Sequence, residues 1–426
     1  MLYTNAKKRF SVLSKSDKLN TSYPVTPSHW KQYKKNCELE YTEKDMCFYL
    51  HIPFCLSLCK FCEYVKYPKP QKELQQKYVD ILKKDILNFI TTHPNINLIG
   101  LDIGGGTPTC LDNEVFEDLM KFTKTILKKL KLAQNFEPSI EATFLTINER
   151  KIKAIKSAGI NRISFGIQTV NKKFLKDNNR QNPTLNKMIE TFDLCQKNNI
   201  KKINIDFMYG LQNQTKKDLQ NNLALIEFFM PSQVTLYEFR TNILNIKEYK
   251  TKNQLFAQYK YLYKKLKKLG YYCDFGQNTF SLDKKDLGLS SYLRNRMINF
   301  TSYKGFGISS QSKSNQGISY NIGKNAKNLE NCIKNNTFNS EDTYILPKDE
   351  MLAKFVAVSG YFGKIKLDIM EDILNQNPKQ YFEQEINFLL SRKLIKLLDN
   401  QIVITPKGFK HYGAVLAMFY PQNYLD

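Results

Sequence analysis

Between about residues 45 and 240 the apolar positions of the chain alternate between two periods. Short apolar runs at 46–52, 98–103, 139–143, 162–167, 202–208 and 234–239 read as strands. Between them lie segments with 3.6-residue apolar spacing, such as 78–90, 115–130 and 219–229, which read as amphipathic helices. Buried strands alternating with such helices predict an α/β fold, a parallel sheet covered by helices. Six units fall two short of a closed eight-unit barrel, and a doubly wound open sheet would carry nearly the same pattern.

The flanks differ. Residues 1–44 are polar and weakly periodic, and predict an extension that packs over something else, with Thr21-Ser22-Tyr23-Pro24 and Trp30 standing out. Residues 256–269 read as a helix stopped by Gly270. The stretch YKGFGISSQS, with Gly305, Gly307 and Ser309, reads by composition as a flexible loop. From 346 the pattern is helical at 351–358, 368–374 and 381–391, followed by two apolar runs joined by Asp399-Asn400, which predicts a small winged-helix-like α+β domain. The expected divisions are an extension (1–44), a main α/β domain (45–280), a connecting segment (281–345) and a C-terminal domain (346–426).

Composition narrows the partners. The chain has 426 residues, 42% of them hydrophobic, enough for a sizeable core. An excess of 64 basic over 40 acidic side chains, a formal charge of +24, favours anionic partners. No basic run is interleaved with aromatics as a nucleic-acid groove requires, so nucleic acid is not expected. Nine cysteines without paired spacing argue for a reducing compartment. Cys37, Cys47, Cys110, Cys195, Cys273 and Cys332 stand alone, and most of them read as small buried hydrophobes. No stretch approaches the roughly 20 apolar residues of a membrane span, and no apolar run follows the first charges as in a signal peptide; the expected location is cytoplasmic.

The candidate chemistry begins at FYLHIPFCLSLCKFCE, where Cys55, Cys59 and Cys62 follow the spacing CxxxCxxC directly after the first strand. Three thiolates on one compact loop can bind a 4Fe-4S cube through three irons, leaving the fourth open to a small chelating molecule. The three thiolates with His51 would alternatively make a structural zinc site, although zinc prefers paired CxxC knuckles. Other informative residues fall near the strand ends, where ligands of parallel α/β folds sit. Gly104-Gly105-Gly106-Thr107-Pro108-Thr109 lets backbone approach a polar head group. Glu141 lies in the third strand, Gln168 ends the fourth, and Arg180 offers a carboxylate-gripping guanidinium. Asp206, an ionisable group inside an apolar strand, calls for a function or a partner.

YLHIPFCLSLCKFC resembles the cluster loop of radical S-adenosylmethionine (SAM) enzymes, in the branch of oxygen-independent coproporphyrinogen III oxidase. TSYP, GGGTPT, NRISFGIQ and IDFMYGLQNQT resemble further elements of that family, and the resemblance runs from residue 21 to about 420. It implies a partial (β/α)6 TIM-like barrel, a 4Fe-4S cluster on Cys55, Cys59 and Cys62, and SAM on the open iron. It implies that Gly105, Gly106 and Thr107 hold the SAM amino group and that Tyr49, Phe61, Glu141, Gln168, Arg180 and Asp206 also line SAM. Tyr49, Arg180 and Asp206 would act in catalysis, while Phe48, Tyr49, Phe54 and Phe61 would keep water from the cluster. It further implies a 5′-deoxyadenosyl radical that attacks a tetrapyrrole propionate, an electron donor such as flavodoxin or ferredoxin, and a monomer.

Two residues depart from the oxidase pattern. Tyr64 stands where a fourth cysteine is expected, and Arg240 stands where a small residue would adjoin a second SAM, which leaves substrate and second SAM open. The alternatives are a heme-degrading methyltransferase and a heme chaperone of the same family. The chaperone's heme element HNxxYW falls here at Arg294-Asn295, without its His, Tyr or Trp.

Overall fold

The computed structural model describes residues 4–15, 23–24, 27–239, 250–321, 327–338 and 340–421. Six parallel strands form its centre: β1 (Asp45–Ile52), β2 (Asn97–Gly105), β3 (Ser139–Ala142), β4 (Arg162–Gln168), β5 (Lys202–Tyr209) and β6 (Gln233–Glu238). They are neighbours in that order, each parallel to the next. The expected parallel α/β sheet is therefore present, on the six runs that the apolar pattern marks.

The helices between them have local causes. Helix α1 (Thr4–Leu13) precedes the sheet, and α2 (Lys72–Thr92) and α3 (Asn113–Lys129) cover its first strands. The Asn148 side chain caps α4 (Glu149–Ser157) and Thr184 caps α5 (Leu185–Lys197), each accepting a backbone N–H. Capping boxes open α6 (Lys216–Phe229), through Thr215 and Asp218, and α7 (Lys252–Lys268), through Thr251 and Gln254. Alternate residues of β1 divide the two faces. Met46, Phe48, Leu50 and Ile52 join the core with Tyr78, Leu82, Ile86 and Phe89 of α2, while Tyr49 and His51 face the other way.

Residues 281–345 carry more structure than a connecting segment. After β7 (Thr279–Ser281), antiparallel to β6, the strands β8 (Tyr303–Phe306), β9 (Gln311–Lys313), β10 (Gly317–Asn321) and β11 (Ser340–Ile345) extend the sheet beyond β1. β8 lies parallel to β1, with Tyr303 opposite Cys47. The stretch expected as a flexible loop, GFGISSQS, is this strand and its hairpin. A Cβ on Gly305 would stand 2.3 Å from the Gln311 carbonyl oxygen, and one on Gly307 (φ +93°) 2.6 Å from that of His51. These glycines serve close backbone packing.

The C-terminal part has α8 (Lys348–Gly360), β12 (Lys364–Lys366), α9 (Leu367–Leu374), α10 (Glu383–Ser391), β13 (Ile395–Leu398), β14 (Gln401–Ile404) and α11 (Tyr412–Ala417). β12, β14 and β13 form a three-stranded sheet. Asp399 and Asn400, both at positive φ, make the β13–β14 turn, as tight hairpins require. The helix expected over 381–391 is broken at Phe382 into Pro378–Tyr381 and Glu383–Ser391.

The N-terminal extension packs on this C-terminal unit. Ala6, Leu13, Tyr23 and Trp30 share its core with Met351, Phe355 and Tyr420. Arg9 donates to the carbonyls of Ala417 and Met418 at the end of α11. Glu350 of α8 holds the extension: its Oε2 accepts from the Tyr23 hydroxyl (2.7 Å) and Trp30 Nε1 (2.9 Å), and its Oε1 meets His29 Nε2 at 2.9 Å. Thr21, Ser22 and Arg240 lie outside the described residues. Among the described residues no helix is long and apolar enough to cross a membrane.

Candidate active site

The cysteine loop leaves β1 through a short parallel pairing of Phe54–Cys55 with Tyr67–Pro68, which closes residues 56–66 into a loop. Its return is fixed by the Tyr67 N–H to the Pro53 carbonyl (2.7 Å) and the Lys69 N–H to that of Cys55 (2.9 Å). Its outer side is tied to the chain after β4, Lys60 N–H to Asn178 O (3.1 Å) and Asn179 Nδ2 to Leu58 O (3.2 Å). On the inner side Gly106 N–H donates to Ile52 O and Thr107 N–H to Phe54 O, both at 2.8 Å. Gly106 permits that approach, since a Cβ there would stand 2.7 Å from the Pro53 carbonyl carbon.

Cys55 and Cys59 are buried and Cys62 is half-buried; all nine cysteines of the chain are free. Burial pushes the Cys55 thiol up to about 11, the Thr107 hydroxyl 3.7 Å away opposes this, and the Cys62 and Cys59 charges add to the rise. Burial also raises Cys62, against Lys66. Iron that takes these groups as thiolates must displace their protons. Among the described residues no group of three or more His, Cys, Asp or Glu closes around a single metal ion. The three thiols stand on one short loop, Cys62 N–H donating to the Cys59 carbonyl at 3.3 Å and both acting electrostatically on Cys55.

His51, the fourth ligand in the zinc alternative, is engaged elsewhere. Its Nε2 meets the Val65 carbonyl at 3.2 Å, and burial lowers its pKa to about 4, so the neutral ring donates there. A Cβ on Gly105 (φ +113°) would stand 2.7 Å from this ring. The second glycine of the triplet thus makes room for the imidazole that holds the cysteine loop.

The remaining expected residues gather at the C-terminal ends of the strands. Glu141 Oε2 accepts from Gly105 N–H at 3.1 Å. Arg180 donates Nη2 to Gly166 O and Nη1 to Cys59 Sγ at 3.5 Å, while its Nε is buried with no hydrogen-bond partner among the described residues. Gln168 (φ +69°) sits at a register irregularity between β4 and β5. A Cβ on Gly166 would stand 2.8 Å from Gln168 Nε2 and 3.2 Å from Arg180 Nη2, so the glycine admits both. Asp206 accepts from Asn204 Nδ2 (2.7 Å) and the Ser164 hydroxyl (3.2 Å), and burial raises its pKa. Phe61 packs with Phe174 and Phe239, at 5.8 and 6.3 Å between ring centroids. Tyr49 stacks on Tyr292 at 5.5 Å. Phe48 and Phe54, expected to shield the cysteines, instead pack on Phe306 and Tyr78 in the helix-facing core.

Tyr64, Glu141 and Tyr237 mark a hollow within the fold. Protein surrounds each of them, yet Tyr64 is 68% and Tyr237 38% exposed, and Glu141 is exposed as well. They face solvent enclosed by the fold. Encirclement by protein pushes Glu141 up to about 7, the Gly105 N–H opposes this, and the Asp206 charge adds to it. Below them a hydrogen-bonded floor joins the strands. Arg162 donates to Gln233 Oε1 and the Ser139 hydroxyl (both 2.8 Å), and Asn204 and Thr235 link β5 to β6 (3.0 Å).

Arg162, Tyr237, Arg296 and Lys354 escaped the sequence reading. The first two had a signal: polar residues recur at every second position of the strands, as in Ser139/Glu141, Arg162/Ser164, Asn204/Asp206 and Gln233/Thr235/Tyr237. At the place of the HNxxYW element, Asn295 donates to the Ile99 carbonyl (3.0 Å) and holds the turn against β2.

Residues 49–226 match the radical SAM superfamily. The chain is 27% identical over 390 residues to the heme chaperone HemW of Buchnera aphidicola subsp. Schizaphis graminum (strain Sg), covering 87% of this chain and 97% of that protein. It is 32% identical over 175 residues to the HemW of Bacillus subtilis (strain 168), covering 41% of this chain and 45% of that one. It is 28% identical over 228 residues to the oxygen-independent coproporphyrinogen III oxidase of Escherichia coli (strain K12), covering 51% and 48%. The chain thus spans about half the length of these last two relatives. The solved coproporphyrinogen III oxidase (HemN) of Escherichia coli superimposes with a TM-score of 0.73 at 22% identity, covering 90% of this chain and 92% of that one. The fold is that of HemN.

Proposed function

We propose, because residues 49–226 match the radical SAM superfamily and the chain is similar to its coproporphyrinogen oxidase and HemW members, that this is a radical SAM enzyme that oxidatively decarboxylates propionate side chains of a tetrapyrrole. Its cofactors are a 4Fe-4S cluster on Cys55, Cys59 and Cys62 and at least one SAM, and when bound the reduced cluster supplies the electron that splits the SAM sulfonium. The buried, unpartnered Nε of Arg180 and the Gly105–Thr107 backbone suit the amino-acid end of SAM. Glu141, bonded on one oxygen and open to the hollow, suits its ribose hydroxyls. Tyr49 and Phe61 exclude water, and Asp206, held by Asn204 and Ser164, faces the reacting region.

What supports this reading is that groups from five successive strand ends reach one another: Glu141 accepts from Gly105, Arg180 donates to Cys59 of the cysteine loop, and the Asp206 charge acts on Glu141. Tyr64, in place of the fourth cysteine, projects into the hollow and would shape which tetrapyrrole enters. The protein would act as a cytoplasmic monomer fed by a flavodoxin or ferredoxin. The anaerobically reconstituted chain, given reductant, SAM and coproporphyrinogen III, is expected to release 5′-deoxyadenosine and product two carbon dioxide units lighter. SAM cleavage with unchanged porphyrinogen would remove the decarboxylation reading. A second reading, heme trafficking, is supported by the likeness to a heme chaperone along 97% of its length; stable stoichiometric heme binding without turnover would favour it.

A further inference from the structure

Arg296 and Lys354 are two cations within the fold that have no carboxylate partner among the described residues. Arg296, on the turn Arg294–Ile298 beneath α8, lies against the rings of Tyr303 (5.0 Å) and Tyr292 (5.7 Å) and donates to Gln311 Oε1 at 3.1 Å. Asp102, an acid influenced by its charge, is hydrogen-bonded to Ser290. Lys354, from α8, donates to the Tyr23 carbonyl at 2.8 Å and lies 5.9 Å from the Trp30 ring. Glu350, one turn earlier on the same helix, is engaged by Tyr23, His29 and Trp30.

Both side chains are enclosed by protein yet partly exposed, as are the residues around the hollow, and Arg296 acts electrostatically on both Tyr64 and Lys354. Burial first, and Arg296 second, lower Lys354 to about 7. Enclosing two like charges without a counter-ion is costly, and a bound anion removes the cost.

We infer that Arg296 and Lys354 form an anion anchor at the seam between the sheet and the C-terminal unit, and that it holds a carboxylate of the substrate. The identity of the ligand as a tetrapyrrole carboxylate rests on the proposed function; the anion site does not. Lys354 also contacts the Tyr23 backbone, so occupancy of the site would be felt by the N-terminal extension.

Two measurements on the reconstituted full chain separate these claims. The first titrates coproporphyrin III and its tetramethyl ester by fluorescence. Arg296→Gln and Lys354→Met are each expected to weaken binding of the free acid at least about tenfold, to leave the ester unaffected, and to be rescued in part by Arg296→Lys and Lys354→Arg. The second follows thermal unfolding in citrate: the unaltered chain gains stability and the double variant Arg296→Gln/Lys354→Met gains less. Equal citrate responses would overturn the anchor, and free-acid binding unchanged in both single variants would remove the porphyrin carboxylate as its ligand. A selective citrate response without porphyrin binding would keep the anchor and remove the tetrapyrrole.

Discussion

Glu141 and Glu350 are both carried deep into the fold, and their surroundings differ. Glu350, at the seam, meets Tyr23, His29 and Trp30, so that both of its oxygens are engaged. Glu141, in the hollow, accepts one backbone N–H and is otherwise open. The first is a knot that joins residues far apart in the chain; the second belongs to a site. Satisfied polar groups specify structure, whereas partly satisfied ones within a protein call for a ligand. Arg180 with its unpartnered Nε and the Arg296–Lys354 pair fall on the side of Glu141.

The contrast can be broken most forcefully at the cysteines. Cys59→Ala should reduce iron loading and SAM cleavage to background while changing the stability of the metal-free chain by about 1 kcal/mol; iron content and chemical unfolding would check this. A metal-free variant that no longer folds would make the loop structural. At the knot the opposite pattern is expected. Glu350→Ala should cost about 3–5 kcal/mol, the penalty for breaking a buried polar network, and shift the emission of Trp30, the chain's single tryptophan. SAM cleavage per folded molecule should persist.

His51 lies between the two extremes, buried and bonded but beneath the site. Its folded pKa of about 4 lies below the ordinary value near 6.5, so in that interval the unfolded chain takes up a proton that the folded chain refuses. Its contribution to stability is present above about pH 6.5 and falls by about 3 kcal/mol as the pH drops to about 4. His51→Gln, which can still donate to Val65 but does not titrate, should flatten this part of the acid unfolding profile. The smallest effect is expected from Arg180→Lys, which keeps the charge but loses the fork. SAM affinity should weaken about tenfold by equilibrium dialysis, with little change in stability.

The sequence disclosed much of the centre of this fold. Each core strand is a short apolar run and each helix has a 3.6-residue stripe, and those periods persist because both faces of the sheet must be filled. Strands 303–306, 311–313 and 317–321 were not legible. They are short and rich in Gly, Ser and Asn, and they exist because β1 offers an unpaired edge. Lys354 was invisible for a related reason: a lysine on a helix is ordinarily a solvated residue, and here residue 23 returns from far along the chain to meet it.

What the sequence by itself determined is local: the order of the elements, the cysteine spacing and the glycines where backbone must come close. Those follow from neighbours a few residues apart. Only the tertiary structure decided which polar groups find partners and which remain open. Tyr23 meets Glu350 across 327 positions of chain and Arg180 reaches Cys59 across 121. No local pattern records a hydrogen bond between such distant segments, because its geometry is set by how whole layers pack.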